Sequence, residues 1–259
     1  MDEKQRGVQF ALKRGQAGRN AETHAASILF KAAKKVIDES KTYISPSGGL
    51  TRESELLKKA QGIMTSTAPE IEAYMKAYSE ASCKILGIGT ASVDEYIGGN
   101  IFGETFSARN KRYLSSFAED IVKMIKAGAI LGYSDDKILS AIRTGYKNPY
   151  AASIITKAQK QDINIANPSY GRGFYKSAYQ NLMRNVRETI GLAWCQAEQK
   201  YGEEIGAVGF RVHRGSSYPC ATCDDECAYV HKLGQNPPLY HARCCCFVEF
   251  ILENNDNKD

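Results

Sequence analysis

The sequence predicts a mainly α protein, in which a helical body is followed by a small C-terminal α+β module rich in cysteine. Apolar residues recur three and four positions apart over most of the chain, which is the spacing of a helix face packed on a core. The spacing changes to two at Val208, Phe210 and Val212, which is typical of a strand with one buried face. Six of the eight cysteines lie between positions 220 and 246. The predicted regions are an N-terminal helical region (1–115), a helical domain (116–205), a zinc-binding Cys/His module (206–252) and a disordered tail (253–259).

Polar loops and glycines divide the helical body. Segments rich in alanine and charged residues, at Ala25–Lys35 and Glu53–Gln61, predict helices on either side of a loop that contains serine, proline and glycine. A helix that begins near Phe117 is expected to stop at Gly128 and Gly132, because glycine weakens a helix interior.

Two further helices are predicted before the module. Ser134 is a favourable start for the first, because its hydroxyl can accept a hydrogen bond from a free backbone N–H. The second runs from about Phe174 to Lys200 and is expected to end at Gly202, with Glu198 away from its apolar face. The predicted buried positions of this last helix are Ala178, Leu182, Val186, Ile190, Ala193 and Ala197. A second strand is predicted from Phe247 to Leu252, where it could pair with the first.

The module contains two pairs of candidate metal ligands. Cys220 and Cys223 form a Cys-x-x-Cys pair, and after seventeen residues His241 and Cys244 form a His-x-x-Cys pair. Two residues between ligands let both side chains of a pair reach one ion, and a long loop lets the two pairs complete a tetrahedron. The spacing predicts a structural zinc site, and in so small a module metal binding could supply much of the folding free energy.

The identity of one ligand stays open at this point. Cys246 is an alternative to Cys244. Cys223, Cys227 and His231 are spaced four residues apart, so they could share one helical face and form another ligand set. We favour a simpler interpretation, in which Cys227 and Cys245 are small buried hydrophobic residues and His231 lies at the surface.

Two kinds of metal-dependent enzyme are alternatives to a structural site. Pro219–Cys223 matches half of the zinc deaminase signature, but no histidine in the chain has a glutamate two positions later, so the proton-transferring carboxylate is missing. A nuclease or toxin domain could use His213 with Asp224, Asp225 or Glu226 as a catalytic metal centre. We favour a solvated acidic loop, and the sequence assigns no catalytic residue.

Composition supports a globular protein. The chain of 259 residues has 43% hydrophobic and 24% charged residues, and its formal net charge of +5 permits contact with nucleic acid without requiring it. Its first residues carry charges of both signs, and no apolar run approaches the ~20 residues that span a bilayer. We therefore expect a soluble protein of a reducing cytoplasm, where clustered cysteines bind metal more often than they form disulfides.

The run from Arg184 to Cys246 resembles the C-terminal signature of the phage Mu F-like minor head proteins, also called phage head morphogenesis proteins. In both, a helix with an Arg-Thr-Glu-like stretch leads into a strand, a Cys-x-x-Cys pair, a loop with glycine and proline, and a closing His-x-x-Cys-x-Cys. The matching pieces here are Arg187–Thr189, Gly209–His213, Cys220, Cys223, Gly234, Pro237, Pro238 and His241–Cys246. Ala242 stands where the family usually has proline, and Cys245 where it usually has arginine.

The resemblance implies a structural role and not an enzymatic one. Members of this family are minor virion proteins of tailed phages that associate with the portal and act in head morphogenesis or in DNA packaging and ejection. The implied partners are portal and capsid proteins, with double-stranded DNA as a further candidate, and the implied locations are the virion and, during assembly, the host cytoplasm. The basic residues that could face DNA are Lys123, Lys126, Arg143, Lys147, Lys157, Lys160, Arg172, Lys176, Arg184 and Arg187.

Overall fold

The computed structural model describes residues 2–101, 103–147, 154–161, 177–235, 239–241 and 243–253. The fold is mainly α with a small C-terminal three-stranded sheet, as the sequence predicts. Some of the predictions made from the sequence concern positions outside the described residues. These positions are the side chain of Lys147 and residues 162–176, 236–238, 242 and 254–259.

Helices make up most of the described residues, and the strands are short. The helices are α1 (Glu3–Ser40), α2 (Glu53–Thr65), α3 (Ala68–Leu86), α4 (Ala91–Gly98), α5 (Phe106–Ile130), α6 (Asp135–Lys147), α7 (Ile154–Gln159), α8 (Ala178–Glu204) and α9 (Ala221–Cys227). The strands are β1 (Asn100–Ile101), β2 (Glu104–Thr105), β3 (Ala207–His213), β4 (Val230–His231) and β5 (Phe247–Leu252). No described helix is both long and apolar enough to cross a membrane.

The backbone packs as two compact units. Unit 1 consists of Met1–Glu22, Ala73–Phe106 and Val186–Asp259, and unit 2 consists of Thr23–Glu72 and Ser107–Asn185. Each unit is thus assembled from segments that are far apart in sequence, whereas the regions predicted from the sequence are continuous. Three of the boundaries between the units lie inside the helices α1, α3 and α8. The helical spacing of apolar residues continues across each of them, so these boundaries could not be predicted from the sequence.

In unit 2, the predicted start of α6 is confirmed and the predicted end of α5 is corrected. The Ser134 hydroxyl accepts a hydrogen bond from the backbone N–H of Lys137 at 3.4 Å. Helix α5 continues through Gly128, where a Cβ atom would approach the Ile138 side chain to 2.5 Å. Gly128 therefore lets α6 approach α5 closely, and Gly132, with φ at +64°, lies just beyond the end of α5.

The sheet of unit 1 has the strand order β4-β3-β5, and both pairs are antiparallel. The predicted pairing of the two strands is confirmed, since Phe210 lies opposite Phe250 and Val212 opposite Val248. All four of these side chains are buried. Val208 was expected to be buried with them but is 51% exposed, because an irregularity between positions 207 and 209 shifts the register at the start of β3.

Helix α8 runs beside this sheet and carries the buried positions that the sequence predicts. The six predicted side chains of α8 are all buried, with those from position 186 onward in unit 1. Two expectations for α8 are wrong. Glu198 is buried, at 1% exposure, and the helix continues through Gly202 to Glu204. A Cβ atom at Gly202 would collide with the ring of Phe250, so this glycine permits the contact between α8 and β5.

A pair of alanine substitutions tests the packing role of Gly202. Gly202→Ala is expected to lower the free energy of unfolding by about 1–3 kcal/mol, because the added methyl group overpacks the interface with Phe250. Gly62 lies inside α2 with no atom near the same position, so Gly62→Ala is expected to stabilise by about 0.5–1 kcal/mol through helix propensity alone. Denaturant unfolding of both variants measures the difference, and equal effects of the two substitutions would contradict the packing role.

Candidate metal centre

The first pair of candidate ligands lies at the beginning of α9, which a short loop joins to the strand β3. Cys220 has extended backbone dihedrals and precedes the helix, and Cys223 lies in the first turn. The backbone N–H of Asp224 donates to the Cys220 carbonyl at 2.9 Å, which closes the turn between the two cysteines. Arg214 holds the loop between β3 and α9, because its guanidinium donates to the Asp224 carboxylate and to the Tyr218 carbonyl.

The second pair lies on the turn that enters β5. The backbone N–H of Cys244 donates to the His241 carbonyl at 2.9 Å, so the chain reverses between the histidine and the cysteine. Cys246 follows and immediately precedes β5. The antiparallel pairing of β3 with β5 brings this turn back beside the loop that carries Cys220, which explains how seventeen intervening residues still leave the two pairs adjacent.

The ligand atoms of four residues lie around the sulfur atom of Cys223. The ligand atoms of Cys220, Cys223 and His241 all lie within 4.8 Å of one another, and so do those of Cys223, Cys244 and Cys246. The Cys223 sulfur lies 3.3 Å from His241 Nε2 and 3.9 Å from the Cys244 sulfur. The cluster could hold a metal ion. It contains each of the four primary residues that the sequence predicts together with the alternative, Cys246.

The cluster lies at the edge of the hydrophobic core of the sheet, with some ligand residues buried and one exposed to solvent. Cys223, Cys244 and Cys246 are buried, Cys220 is half-buried and His241 is exposed. The three buried cysteines pack in one cluster with Phe210, Val212 and other apolar side chains of β3 and β5. A bound ion would therefore be covered by the sheet on one side and accessible from the side of His241.

The thiols influence one another's ionisation. A hydrogen bond from the Cys246 thiol lowers the pKa of Cys244, so Cys244 is the cysteine of this pair that ionises first. Burial is the main cause that raises the pKa of Cys223, and Cys220 and Cys244 raise it further, whereas a hydrogen bond with Cys246 lowers it. Thiolate is the form of cysteine that binds metal, and a nearby cation offsets the cost of several buried thiolates. Metal binding is thus expected to release protons from this cluster.

Of the alternative ligands considered from the sequence, Cys246 joins the cluster, whereas Cys227 and His231 belong to neither group of candidate ligands. His231 lies on β4 and not on an extension of α9, so it shares no helical face with Cys223. His231 is also buried, where it stacks on Phe210 and lies 2.8 Å from the Glu226 carbonyl, so its expected surface position is wrong. Cys227 is half-buried against the core of the sheet, whereas Cys245 is exposed and not buried as expected.

His213 and Asp224, two of the residues considered for a catalytic centre, have other partners in the described part of the chain. His213 Nε2 lies 2.6 Å from a carboxylate oxygen of Glu249 on β5, and the His213 ring stacks on Phe247. Asp224 binds Arg214. Both acidic contacts are thus made within the sheet and its adjoining loop.

Three buried charged residues that support the cluster were not found from the sequence. Arg14 of α1 donates to the Cys246 carbonyl at 2.6 Å, and Arg6, two helical turns earlier, donates to the Val248 carbonyl at 3.2 Å. Arg6 also lies 3.1 Å from the carboxylate of Glu198. The spacing of eight residues places both arginines on one face of α1 with the buried residue Phe10, and this is the one signal that the sequence offered.

Comparison of the chain with protein-family models, with curated proteins and with solved structures finds no match.

Proposed function

We propose that the cluster around Cys223 binds one zinc ion as a structural metal. Thiolate and imidazole are the ligands that structural zinc sites use, and Zn–S bonds of about 2.3 Å in a tetrahedron place sulfur atoms about 3.8 Å apart. The separation of 3.9 Å between the sulfur atoms of Cys223 and Cys244 agrees with this value. Cys220, Cys223, His241 and Cys244 form the proposed ligand set, with Cys246 as the alternative to Cys244.

Metal content tests the zinc proposal directly. Protein purified under reducing conditions without added metal is expected to contain about one zinc per chain by mass spectrometry of the elements. Removal of the metal with a chelator is expected to expose the buried thiols of Cys223, Cys244 and Cys246 to a thiol reagent. The proposal is contradicted if the protein as purified, before any chelator is added, contains no metal and all of its cysteines react at once.

We further propose that the chain is a minor head protein of a tailed phage or prophage that acts in head morphogenesis or in DNA packaging and ejection. One observation carries this proposal: a strand, a Cys-x-x-Cys pair, a long loop, a His-x-x-Cys-x-Cys turn and a second strand follow one another here in the order that resembles the phage Mu F-like proteins. The pairing of the two strands supports it, and so does the short distance between the Cys and His ligand atoms, because the residues of that pattern then lie together at one site.

In this proposal the module is a docking element and not an enzyme. Portal and capsid proteins are the proposed partners, and the virion and the host cytoplasm during assembly are the proposed locations. Double-stranded DNA is a weaker candidate, since two of the basic residues considered for it, Lys126 and Arg187, bind Glu53 and Glu22. A metal-dependent nuclease or toxin domain on the same framework is the alternative.

Assembly and cleavage assays distinguish the two functions. Co-expression with portal and capsid subunits, followed by purification of assemblies, is expected to retain the chain in particles, and Cys223→Ala is expected to remove it. Alanine at Asp224, Asp225 and Glu226 is expected to leave this retention unchanged. The proposal fails if the chain is absent from assemblies and instead cleaves DNA with a divalent metal in a way that these three substitutions abolish. Retention of DNA that falls steeply with salt would add DNA as a partner.

A further inference from the structure

A partly apolar groove lies between the first half of α1 and the loops around the metal cluster, all within unit 1. On α1, Val8, Leu12 and Gly15 form a stripe that faces the groove, and the opposite face carries the buried residues of the helix. Leu12 is 62% exposed. An exposed leucine on a helix whose other face is fully packed is unpartnered apolar surface, and such surface is typical of contact sites.

The second wall of the groove is formed by Gly215, Cys245 and Phe247. A Cβ atom at Gly215 would collide with the Cys245 carbonyl, so the glycine permits the two loops to meet and form one wall. This groove has a volume of about 340 Å³. Arg214 and Cys245 also line a second cavity of about 560 Å³ beside the metal cluster, so the two cavities form one continuous surface.

Every charged side chain that lines these two cavities, among the residues described, is basic or a potential metal ligand. Arg19 stands at the α1 side, Arg214 between the cavities and Arg243 beside the metal cluster. Asp224 binds Arg214, and Glu22 interacts with Arg19 and Arg243, which offsets part of this positive charge. None of the carboxylates enters the lining itself. A ligand in the groove would therefore meet guanidinium groups and apolar carbon, with no acidic side chain among the described residues of the walls.

We propose that this groove binds an acidic, amphipathic peptide segment of a partner protein. Apolar side chains of the peptide would cover Val8, Ala11 and Leu12, while its carboxylates would face Arg19 and Arg243. Arginine is suited to carboxylate recognition because its planar donors bind both oxygens. The apolar floor favours a peptide over nucleic acid, whose phosphate backbone would leave Leu12 uncovered. The inference uses only the groove and does not depend on the proposed role in a phage head.

Selection from a display library of short random peptides tests the proposal on the full chain with zinc bound. Peptides that bind the native chain but do not bind the Leu12→Asp variant are expected to contain both acidic residues and aliphatic or aromatic residues. A synthetic peptide of the selected sequence is then the probe in fluorescence anisotropy. Leu12→Asp and Arg19→Ala are each expected to weaken its binding about fivefold, which corresponds to about 1 kcal/mol for each lost contact.

Matched controls come from the same unit. Val208 and Arg211 are exposed on the sheet and lie outside the groove, so Val208→Asp and Arg211→Ala are expected to leave peptide binding unchanged. Metal content and thermal unfolding confirm that every variant is folded. Three results would overturn the proposal: no peptide depends on Leu12, the selected peptides lack acidic residues, or a double-stranded DNA oligonucleotide binds and is lost in the same variants.

Discussion

Cys223→Ala is expected to abolish metal binding and to unfold the sheet and loops of the C-terminal module. Cys223 belongs to both groups of candidate ligands, so its loss leaves neither group with three members. Apparent metal-binding free energies of structural zinc sites are about 10–16 kcal/mol, and in a small module this energy stabilises the fold. Elemental analysis is expected to show almost no zinc in the variant. Near-ultraviolet circular dichroism and hydrogen exchange across β3 and β5 are expected to show loss of fixed packing.

Cys245→Ser is the matched control, because Cys245 neighbours two candidate ligands in sequence but is exposed and belongs to neither group. This variant is expected to keep its zinc and its thermal stability. Cys244→Ser and Cys246→Ser then identify the fourth ligand, since the residue that binds the metal loses zinc when it is replaced. Full zinc content in Cys223→Ala would contradict a site centred on this residue.

The gathering of the Cys and His residues could be predicted from the sequence because it depends on short spacings. Cys220 and Cys223 are joined by one turn at the start of a helix, and His241 and Cys244 by another turn, so each pair is fixed locally. The choice between Cys244 and Cys246 could not be predicted in the same way. It depends on where the pairing of β3 with β5 places the two sulfur atoms, and the structure puts both close to Cys223.

The predictions that were wrong concern residues whose burial depends on contacts with segments distant in sequence. Gly128 and Gly202 were expected to end helices, but each is a point of close approach to a side chain from another element. Glu198 was placed away from the apolar face of α8, and His231 at the surface, yet both are buried against partners that local spacing does not reveal. Composition and periodicity describe one element at a time, whereas burial of a polar side chain requires a specific partner elsewhere.

Glu198→Leu is expected to destabilise the protein by about 3–5 kcal/mol, although it replaces a buried charge with an apolar side chain. Glu198 is a buried carboxylate beside the buried guanidinium groups of Arg6 and Arg14; burial raises its pKa, and these two interactions offset part of that increase. Without it, two neighbouring positive charges would remain buried next to β5. Equilibrium unfolding in denaturant measures the loss. Glu203→Leu, at an exposed position of the same helix that pairs with Lys200, is expected to cost less than about 1 kcal/mol.

The double variant Glu198→Leu/Arg6→Met is expected to be more stable than Glu198→Leu alone, because it leaves Arg14 as a single buried guanidinium that still donates to the Cys246 carbonyl.

The pH dependence of stability gives a second measurement of the role of Glu198. Burial is the main cause that raises the pKa of Glu198, so the folded protein binds a proton there more readily than the unfolded chain does. Stability from this group is therefore full below the ordinary glutamate pKa and falls as pH rises towards the folded pKa. Glu198→Leu is expected to remove this part of the slope. Equal stability of the single and double variants would show that Arg6 and Glu198 do not act as a pair.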